Sequence, residues 1–518
     1  MDSYDDLFAP RVANEFFPVT MENNDYMALL NPCYLAHPDK LFIAGNWQPP
    51  VEAGVLDIVS PHLEEVTAQT ARAGNDDMDR AVAAARKAFD EGPWPRMPVA
   101  ERMALLQKFQ QELGKRADDL TNALTLQTGT LHMGSQMMTG LGSFMLDFYA
   151  RGAEGFRFAE SATAADGGAA VVIHEPVGVV VTIAPWNAPY TIMMNKVAPA
   201  LLAGCAVIMK PAPETPLEAY IMAECAEAAG FPAGVVNLVP GDRDASDHLI
   251  SNPDVDKVGF TGSTVAGRRI ASVCGNRIGR CSLELGGKSA AIVLDDYDIE
   301  EAANMLGNII IIATGQVCVT LSRVLVSRTR HDELVAALKK VLESVKVGDP
   351  MDPASQMGPL AMARQLERVE SYIEKGKAEG AVLVTGGDRP EMEKGYYINP
   401  TLFANVDNSM TLAQEEIFGP VLCLIPYDDE ADAIRLANDS DFGLFGAVLT
   451  HDNQKAYEIA RAIRTGAYAQ NAFRLDYFLP FGGFKQSGIG REGGISGLKA
   501  YTETKTILLD EVPDELAH

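Results

Sequence analysis

A cysteine and a glutamate in this chain have the residue types and the spacing needed for acyl chemistry. Cys318 lies in Gly315-Gln316-Val317-Cys318, and it follows the glutamate of Leu283-Glu284-Leu285-Gly286-Gly287-Lys288 by 34 residues. A thiolate can attack a carbonyl carbon, and a carboxylate beside it can activate the water that later releases the acyl group. We therefore take Cys318 and Glu284 as candidate catalytic residues.

Two glycine-containing loops are candidates for binding phosphate. Gly286-Gly287-Lys288-Ser289 imitates the end of a P-loop, but Ser282 occupies the position of the first required glycine, and the loop lies between two extended runs. We reject an ATPase on these grounds. Phe260-Thr261-Gly262-Ser263-Thr264 follows a predicted strand and opens a predicted helix, where N–H groups and the helix dipole favour a pyrophosphate. It is not G-x-G-x-x-G, so a tight turn is the alternative.

The elements that must position these residues form two series of strands and helices. Helical spacing covers 76–91 and 100–127, and helical patterns recur at 217–229 and 265–274. The apolar runs of the first series are 177–184, 206–209, 235–239, 257–260 and 290–294. A second series spans 320–470, and 500–509 suits a strand that joins another subunit or domain. This alternation predicts an α/β fold with a mostly parallel open sheet, whose ligands bind beyond the carboxyl ends of strands.

Size and composition narrow the class of protein. A chain of 518 residues is long enough for about two to four domains. Its 43 basic and 70 acidic residues give a net charge of −27, which argues against nucleic acid or an anionic membrane as the main partner. No signal-peptide pattern opens the chain, and no apolar run approaches the ~18 residues of a membrane helix. Seven dispersed cysteines without a C-x-x-C pair predict reduced thiols, a cytoplasmic compartment and no metal site.

Seven motifs in one order resemble the aldehyde dehydrogenase superfamily, over residues 40–510. They are Pro185-Trp186-Asn187, Lys210-Pro211, Phe260-Thr261-Gly262-Ser263-Thr264, Leu283-Glu284-Leu285-Gly286-Gly287-Lys288, Gly315-Gln316-Val317-Cys318, Glu415-Glu416-Ile417-Phe418-Gly419-Pro420 and Pro480-Phe481-Gly482-Gly483-Phe484-Lys485-Gln486-Ser487-Gly488. The resemblance implies NAD(P)-dependent oxidation of an aldehyde to a carboxylic acid. It also implies a Rossmann-like open-sheet cofactor domain, an α/β catalytic domain and a small bridging or oligomerisation β element.

The resemblance also implies domain boundaries. They are an N-terminal extension at 1–39, an NAD(P)-binding domain at 40–156 and 178–285, a catalytic domain at 286–482, and oligomerisation or bridging segments at 157–177 and 483–518. The segments 157–177 and 500–511 fall where relatives exchange strands between subunits, which implies a homodimer or a homotetramer.

The family's catalytic roles carry over to individual positions. Cys318 looks like the nucleophile that attacks the aldehyde, first giving a thiohemiacetal and, after hydride transfer, a thioester. Asn187 looks like the side-chain half of the oxyanion hole, whose other half is the Cys318 backbone N–H. Glu284 looks like the general base for hydrolysis, which needs a pKa raised towards neutrality. Lys196 resembles a lysine that the family places near the proton path to Glu284.

The resemblance likewise implies a set of residues for NAD, with NADP left open. The implied cofactor-binding residues are Ile183, Trp186, Lys210, Gly262, Ser263, Gly286, Glu416 and Phe418. Lys210 and Glu416 resemble the ribose contacts, Ser263 and Trp186 the pyrophosphate contacts, and Phe418 the aromatic residue behind the nicotinamide. Many relatives have a glutamate three residues after the motif lysine, whereas this chain has Pro213 there and Glu214 next to it.

The substrate is predicted to be a medium-to-large apolar or aromatic aldehyde. Ala188 follows Asn187, and Asn195 occupies a position that is often a large aromatic in relatives, so we expect a wider entry tunnel. Its far side is predicted to carry Phe473, Leu475, Tyr477 and Phe478. Arg474 could hold the carboxylate of a semialdehyde, with a solvated loop arginine as the alternative.

Two other functions compete with a hydrolytic dehydrogenase. In a CoA-acylating relative, CoA would take the acyl group in place of water, but such an enzyme can dispense with Glu284. A catalytically inactive protein on the same fold would have little reason to keep Cys318, Glu284 and Asn187 together.

Overall fold

A computed structural model describes residues 35–516 of the chain. Most of the extension predicted over 1–39 lies outside the described residues. Within them, the strands are β1 (Leu41–Ile43), β2 (Asn46–Gln48), β3 (Val55–Ser60), β4 (Glu65–Ala71), β5 (Ala159–Thr163), β6 (Ala169–Pro176), β7 (Val179–Ile183), β8 (Ala206–Lys210), β9 (Val236–Leu238), β10 (Lys257–Thr261), β11 (Arg280–Glu284), β12 (Ala290–Val293), β13 (Arg323–Ser327), β14 (Val382–Thr385), β15 (Thr401–Ala404), β16 (Val421–Tyr427), β17 (Phe442–Gly443), β18 (Gly446–Leu449), β19 (Ala469–Gln470), β20 (Phe484–Lys485), β21 (Gly488–Ile489) and β22 (Thr502–Leu509).

The same range contains α1 (Asn75–Asp90), α2 (Val99–Gly114), α3 (Ala117–Thr128), α4 (His132–Ala150), α5 (Pro189–Ala203), α6 (Leu217–Ala229), α7 (Arg243–Ser251), α8 (Thr264–Asn276), α9 (Ile299–Ile311), α10 (His331–Glu343), α11 (Ala363–Ala378), α12 (Thr411–Gln414), α13 (Glu430–Asn438), α14 (Asn453–Ala462) and α15 (Gly494–Lys499). Short 3-10 turns occur at Trp94–Arg96, Ile312–Gly315 and Asp514–Leu516.

The first sheet has the strand order β2-β1-β9-β8-β7-β10-β11-β21. Its five middle strands are parallel, while β1, β2 and β21 run antiparallel to their neighbours. The middle strand β7 reads Val-Val-Val-Thr-Ile and is buried along its whole length. A parallel strand covered by helices on both faces is expected to be such a β-branched run.

The second sheet has the order β14-β15-β16-β13-β12-β18-β19, with only the edge strand β14 antiparallel. Apolar side chains pack on both of its faces: Ile292 of β12 belongs to one core cluster, and its neighbours Ala291 and Val293 to the other. The first sheet is sandwiched in the same way between two clusters. The structure thus confirms the α/β class. It has two sheets of mostly parallel strands, and each sheet is buried on both faces.

A third sheet contains three antiparallel strands in the order β22-β6-β5. The predicted tail strand at 500–509 is therefore β22, and it pairs with β6 of its own chain from Thr502 to Leu509. A two-stranded ribbon, β3 with β4, and the short pair β17 with β20 complete the sheets of residues 35–516. The sheet of β5, β6 and β22 is the small bridging β element implied by the resemblance.

Two details of the predicted elements are wrong. The helical stretch predicted at 100–127 is two helices, because the chain leaves the helix after Gly114 and restarts at Ala117. The strand predicted at 290–294 was grouped with the first series, but β12 pairs with β13 and β18 of the second sheet. An apolar run of this length shows that a strand is buried and not in which sheet, so the pattern alone could not assign it.

The helices that follow β7 and β10 begin where the sequence provides for it. Pro189 lies in the first turn of α5, where its missing N–H costs no hydrogen bond, and Gly204 ends that helix with a left-handed φ of 100°. Ser263 caps α8 by accepting a hydrogen bond from the backbone N–H of Ala266. Both helices therefore start directly beyond the carboxyl edge of the first sheet.

No helix within residues 35–516 combines the length and the apolar character needed to cross a bilayer.

The second sheet is anchored at its centre by a buried arginine. The Arg323 guanidinium is 2% exposed and donates to the carbonyl oxygens of Lys288, Leu436 and Ala437 and to Asn408 Oδ1, at 2.9 to 3.0 Å. These contacts tie β13 to the loop before β12 and to the end of α13. Burial lowers the pKa of Arg323 to about 10, so the side chain stays charged at neutral pH.

Replacing this arginine should destabilise the chain strongly. In Arg323→Met the four acceptors lose their donor inside the protein, and we expect a loss of about 3 kcal/mol or more. Arg328→Met is the matched control, because that exposed side chain donates to Asp428 at the surface. Denaturant unfolding of both variants measures the difference, and equal midpoints would contradict the anchoring role.

Candidate active site

The carboxyl edge of the first sheet brings four of the predicted residues into one row. Ile183 ends β7 and pairs with Lys210, the last residue of β8. On its other side β7 pairs with β10, and Thr261 at the end of β10 pairs with Glu284 at the end of β11. The loops after these strands carry Trp186, Asn187, Gly262, Ser263 and Gly286. Parallel sheets bind ligands at this edge, so the predicted site has a common location.

The cysteine reaches this edge from the second sheet, on a turn with unusual backbone geometry. Ala313, Thr314 and Gly315 have left-handed φ values of 46°, 55° and 71°, and two of the three are not glycine. Thr314 Oγ1 donates to the carbonyl oxygens of Gly358 and Pro359, which holds the turn in place. Such conformations persist only where the surrounding contacts enforce them, as they do at many functional sites.

Gly287 allows the two loops to touch. A Cβ atom at position 287 would lie 2.3 Å from the carbonyl oxygen of Cys318, closer than any real contact. Gly315 is equally restricted, because its Cβ would lie 2.3 Å from the carbonyl carbon of Gly419. The glycines therefore allow the loops of Glu284, Cys318 and Phe418 to approach one another at backbone distance.

Asn187 is positioned beside the cysteine turn. Its Nδ2 donates to the carbonyl oxygen of Gln316 at 2.8 Å, and the residue is buried. Gln316 is held in turn, since its Oε1 accepts from the backbone N–H of Ala361 at 2.9 Å. A side-chain amide carries two N–H groups, so one fixes the orientation while the other can serve a developing oxyanion.

The surroundings of Cys318 favour the protonated form of its thiol. Burial raises its pKa to about 12, and the charges of Glu416 and Glu284 contribute to the rise. The thiolate is the nucleophilic form, so the reaction needs a group that accepts this proton.

Glu284 has the environment of a general base. It is 4% exposed, and among residues 35–516 neither carboxylate oxygen has a hydrogen-bond partner. Burial raises the pKa of Glu284 well above its ordinary value, the charge of Glu492 raises it further, and Lys196 and Arg491 act in the opposite direction. A carboxylate shifted in this direction can accept a proton near neutral pH.

Glu492 is a candidate functional residue that the motifs did not identify. Its buried carboxylate forms an ion pair with Lys196, and Lys196 Nζ also donates to Thr261 Oγ1 at 2.7 Å. Lys196 itself is fully buried. Its ammonium group is held by Glu492 and Thr261. The available signal was a single carboxylate in the glycine-rich run 482–494, directly after Arg491.

Two aromatic side chains from different loops pack against each other in the candidate site. The rings of Trp186 and Phe418 meet edge to face, with centroids 5.3 Å apart. Phe418 has a left-handed φ of 63°, and its carbonyl oxygen accepts from Gln365 Nε2 at 2.7 Å. The non-glycine residue is therefore held in a strained conformation that presents its ring to the site.

Lys210 is buried and Glu416 is half-buried, and both have shifted pKa values. Burial lowers the pKa of Lys210 to about 8, against the charges of Glu214 and Asp242. Burial raises the pKa of Glu416 to about 7, while the N–H of Gly287, which donates to it at 2.9 Å, opposes the rise. A Cβ at Gly286 would lie 2.5 Å from the same carboxylate, so this glycine also serves close packing.

These residues fit a dinucleotide. Lys210 could supply a cation for ribose hydroxyls, the N-terminus of α8 after Ser263 could supply N–H groups for a pyrophosphate, and Phe418 could supply a ring face, whereas the Gly262 N–H already donates to the Glu284 carbonyl oxygen. Glu214 is close to Lys210 but pairs with Arg364, so Pro213 leaves the ribose end without the glutamate seen in many relatives. The donor set matches NAD(P)+ in kind. Within the described range, no group of three or more His, Cys, Asp or Glu side chains is arranged to hold a metal ion.

The predicted substrate residues fall into two groups. Phe473 and Leu475 pack against the same core cluster as Cys318, and the Phe478 ring lies 4.6 Å from Phe144 and 5.0 Å from Phe148. In contrast, Asn195 is buried and donates to Glu492 at 3.1 Å, so it contacts the buried ion pair. Further along the chain, Arg474 is exposed, which favours the solvated alternative.

Comparison with known proteins agrees with this geometry. The model of the aldehyde dehydrogenase family matches residues 47–507. Geranial dehydrogenase of Castellaniella defragrans is 41% identical over 470 residues, which cover 90% of this chain and 98% of that protein. An aldehyde dehydrogenase of Mycobacterium tuberculosis, solved with NAD+, is 46% identical, has a TM-score of 0.89 and covers 91% of this chain and 98% of its own.

A third similar protein is a mutant of aldehyde dehydrogenase C from Pseudomonas syringae, solved with NAD+ and octanal. It is 36% identical, has a TM-score of 0.88, and the match covers 92% of this chain and 98% of that chain. Sequence and structure comparisons thus cover nearly the whole described range. The chain belongs to the aldehyde dehydrogenase family, an NAD(P)-dependent family of oxidoreductases.

Proposed function

We propose that the chain oxidises an aldehyde to a carboxylic acid through an acyl group carried on Cys318 and released by water. The observation that supports it best is the meeting of three loops. Asn187 binds the turn before Cys318, and Gly287, three residues after Glu284, touches the Cys318 backbone. Nucleophile, oxyanion donor and base are thereby held at one edge of the first sheet.

In the first half of the reaction, the Cys318 sulfur attacks the aldehyde carbon while its proton passes to a base. Solvent water takes this proton, so Glu284, with a raised pKa and with carboxylate oxygens free of partners in the described chain, stays available as the base for the second half. The carbonyl oxygen becomes negative. It accepts hydrogen bonds from the second N–H of the Asn187 amide and from the Cys318 backbone N–H. NAD(P)+, when bound, would accept the hydride. Loss of this hydride leaves a thioester on Cys318.

In the second half, Glu284 removes a proton from water as the water attacks the thioester carbon. The sulfur leaves, the carboxylic acid forms, and the proton on Glu284 must return to solvent. Lys196 and Glu492 lie next to Glu284 and are the nearest charged pair for that transfer. A CoA-acylating enzyme would not require this base, so Glu284 favours water as the acceptor.

Glu284→Gln should separate the formation of the thioester from its hydrolysis. The variant should still form one equivalent of NADH per site in a rapid burst and then turn over about 10²- to 10⁴-fold more slowly than the wild type, because it has no base for hydrolysis. Stopped-flow absorbance of NADH measures both phases, and product analysis identifies the acid.

Cysteine variants provide the controls for this experiment. Cys318→Ala should abolish the burst as well as turnover, whereas Cys225→Ala, a buried thiol on α6, should behave like the wild type. Wild-type turnover in Glu284→Gln, or an acyl-CoA as the product when CoA is added, would refute the hydrolytic proposal.

We further propose that the substrate is a medium-to-large apolar or aromatic aldehyde. The support is the apolar character of the side chains near the cysteine: Phe473 and Leu475 share its core cluster, and Phe478 packs between Phe144 and Phe148. The charge of Cys318 contributes to the raised pKa of Tyr477, which places that ring close to the thiol. Relatives are named for geranial or were solved with octanal, both apolar aldehydes.

An aldehyde panel tests this substrate class. We expect kcat/KM for octanal and for an aromatic aldehyde to exceed that for acetaldehyde by about tenfold or more, since each buried methylene contributes up to ~0.8 kcal/mol. Phe478→Ala should reduce the advantage, while Tyr457→Ala, an exposed ring on α14, should not. Comparable kcat/KM values for acetaldehyde and the bulky aldehydes would contradict the proposal.

Subunit association and compartment complete the proposal. We expect a homodimer or homotetramer that uses the sheet of β5, β6 and β22, whose outer strands β5 and β22 are largely exposed. Light scattering on the purified protein checks this, and a monomer at all concentrations would contradict it. The six described cysteines are free thiols, which supports the cytoplasmic compartment, and thiol counting on acid-quenched cells tests it.

A further inference from the structure

Asn195 makes a contact that the established chemistry of the site does not explain. It lies on α5 directly before Lys196, is buried, and its Nδ2 donates to Glu492 Oε2 at 3.1 Å. Because a carboxylate only accepts hydrogen bonds when ionised, the amide nitrogen is the atom that must face it. The contact therefore provides Glu492 Oε2 with a hydrogen-bond donor.

The Glu492 carboxylate is held by two donors on one helix. Lys196 binds Oε1 and Asn195 binds Oε2, so both oxygens are occupied inside the protein. The backbone of Glu492 is fixed as well, because it exchanges two hydrogen bonds with Phe481, at 2.7 and 2.8 Å. A buried carboxylate with all of these contacts has one defined position.

The charge of Glu492 acts on the candidate base. Glu492 raises the pKa of Glu284, and Lys196 lowers it. Lys196 is located by Thr261, which pairs in register with Glu284 across β10 and β11. Asn195 therefore affects Glu284 through one intermediate residue, without a contact of its own.

Other charged and titratable groups face this pair from the surrounding elements. They are Lys257 on β10, Tyr149 on α4, Tyr501 before β22, Arg491 beside Glu492, and Cys318 on its turn. Burial also lowers the pKa of Lys257 to about 8, so its charge changes only above neutral pH. Below that range Glu492, Lys196 and Arg491 determine the field at Glu284.

We propose that Asn195 is a positioning residue for the hydrolytic step: by holding the Glu492 carboxylate against Lys196, it sets the negative charge that Glu284 experiences. This inference rests on the proposed function, because it concerns the base that releases the acyl group. An apolar or aromatic side chain at position 195 would leave Glu492 Oε2 without this donor. The residue type at position 195 would then tune the pH range of hydrolysis.

Asn195→Leu tests the inference by removing the donor while keeping a γ-branched side chain. A less stabilised Glu492 places less negative charge at Glu284, so Glu284 ionises at lower pH. The acid limb of the hydrolysis rate, measured by rapid quench as acid release after the NADH burst, should move down by about half a pH unit or more. The burst itself, which reports acylation, should stay within about twofold of the wild type.

Two further variants test whether the effect passes through Glu492. In a Glu492→Gln background the added Asn195→Leu change should cause no further shift, because the charge on which it acts is gone. Asn195→Ser serves as a second variant if the leucine variant does not fold. The serine side chain is too short to reach the carboxylate, so this variant should show the same shift. An equal shift with and without Glu492, or no shift in either Asn195 variant, would overturn the inference.

Thr191→Val is the matched control on the same helix. Thr191 lies one turn before Asn195, is buried, and its Oγ1 donates to the Met138 carbonyl oxygen at 2.7 Å, away from Glu492. Its acid limb should match the wild type, and an equal shift there would assign the effect to general damage of α5 and overturn the inference. NADH formation that survives in Cys318→Ala, or its absence with every aldehyde of the panel in the wild type, would instead refute the proposed function.

Discussion

The site depends on one close backbone contact between two sheets. Gly287, in the loop after β11, touches the carbonyl oxygen of Cys318, and no Cβ atom fits between them. Since β11 belongs to the first sheet and Cys318 precedes a strand of the second, this contact fixes the distance between base and nucleophile. The left-handed turn at Ala313, Thr314 and Gly315 is the corresponding cost on the cysteine side, and it is supported by hydrogen bonds from Thr314.

Around this contact the protein buries an unusual amount of charge, and burial shapes the chemistry of each group. The same desolvation raises the pKa of the Cys318 thiol and the pKa of the Glu284 carboxyl, so both groups bind a proton more readily than in water. The structure resolves the competing charges by pairing Lys196 with Glu492 and leaving Glu284 unpaired among the described residues. A paired acid is stabilised, whereas an unpaired one remains available for proton transfer.

Much of this arrangement could be predicted from the sequence because it rests on local patterns. The strand–helix alternation placed Lys210 and Thr261 at the carboxyl ends of two strands, and they end β8 and β10, which lie on either side of β7. The order of the motifs in the sequence predicts Asn187, Glu284 and Cys318 as catalytic residues without any knowledge of their geometry. Each of these residues lies in a short motif that can be recognised in the sequence without knowledge of the distant residues that it contacts.

What escaped prediction is non-local. Lys196 and Glu492 are 296 residues apart, and no local pattern connects them. Asn195 was expected to shape the substrate tunnel, since its small size was visible but its partner was not. The ion pair also closes a very long loop, and such contacts carry a large entropic cost that delays their formation during folding. The chain must therefore acquire most of its tertiary structure before these charges leave water, so catalytic competence is a late product of folding, reached after the sheets themselves.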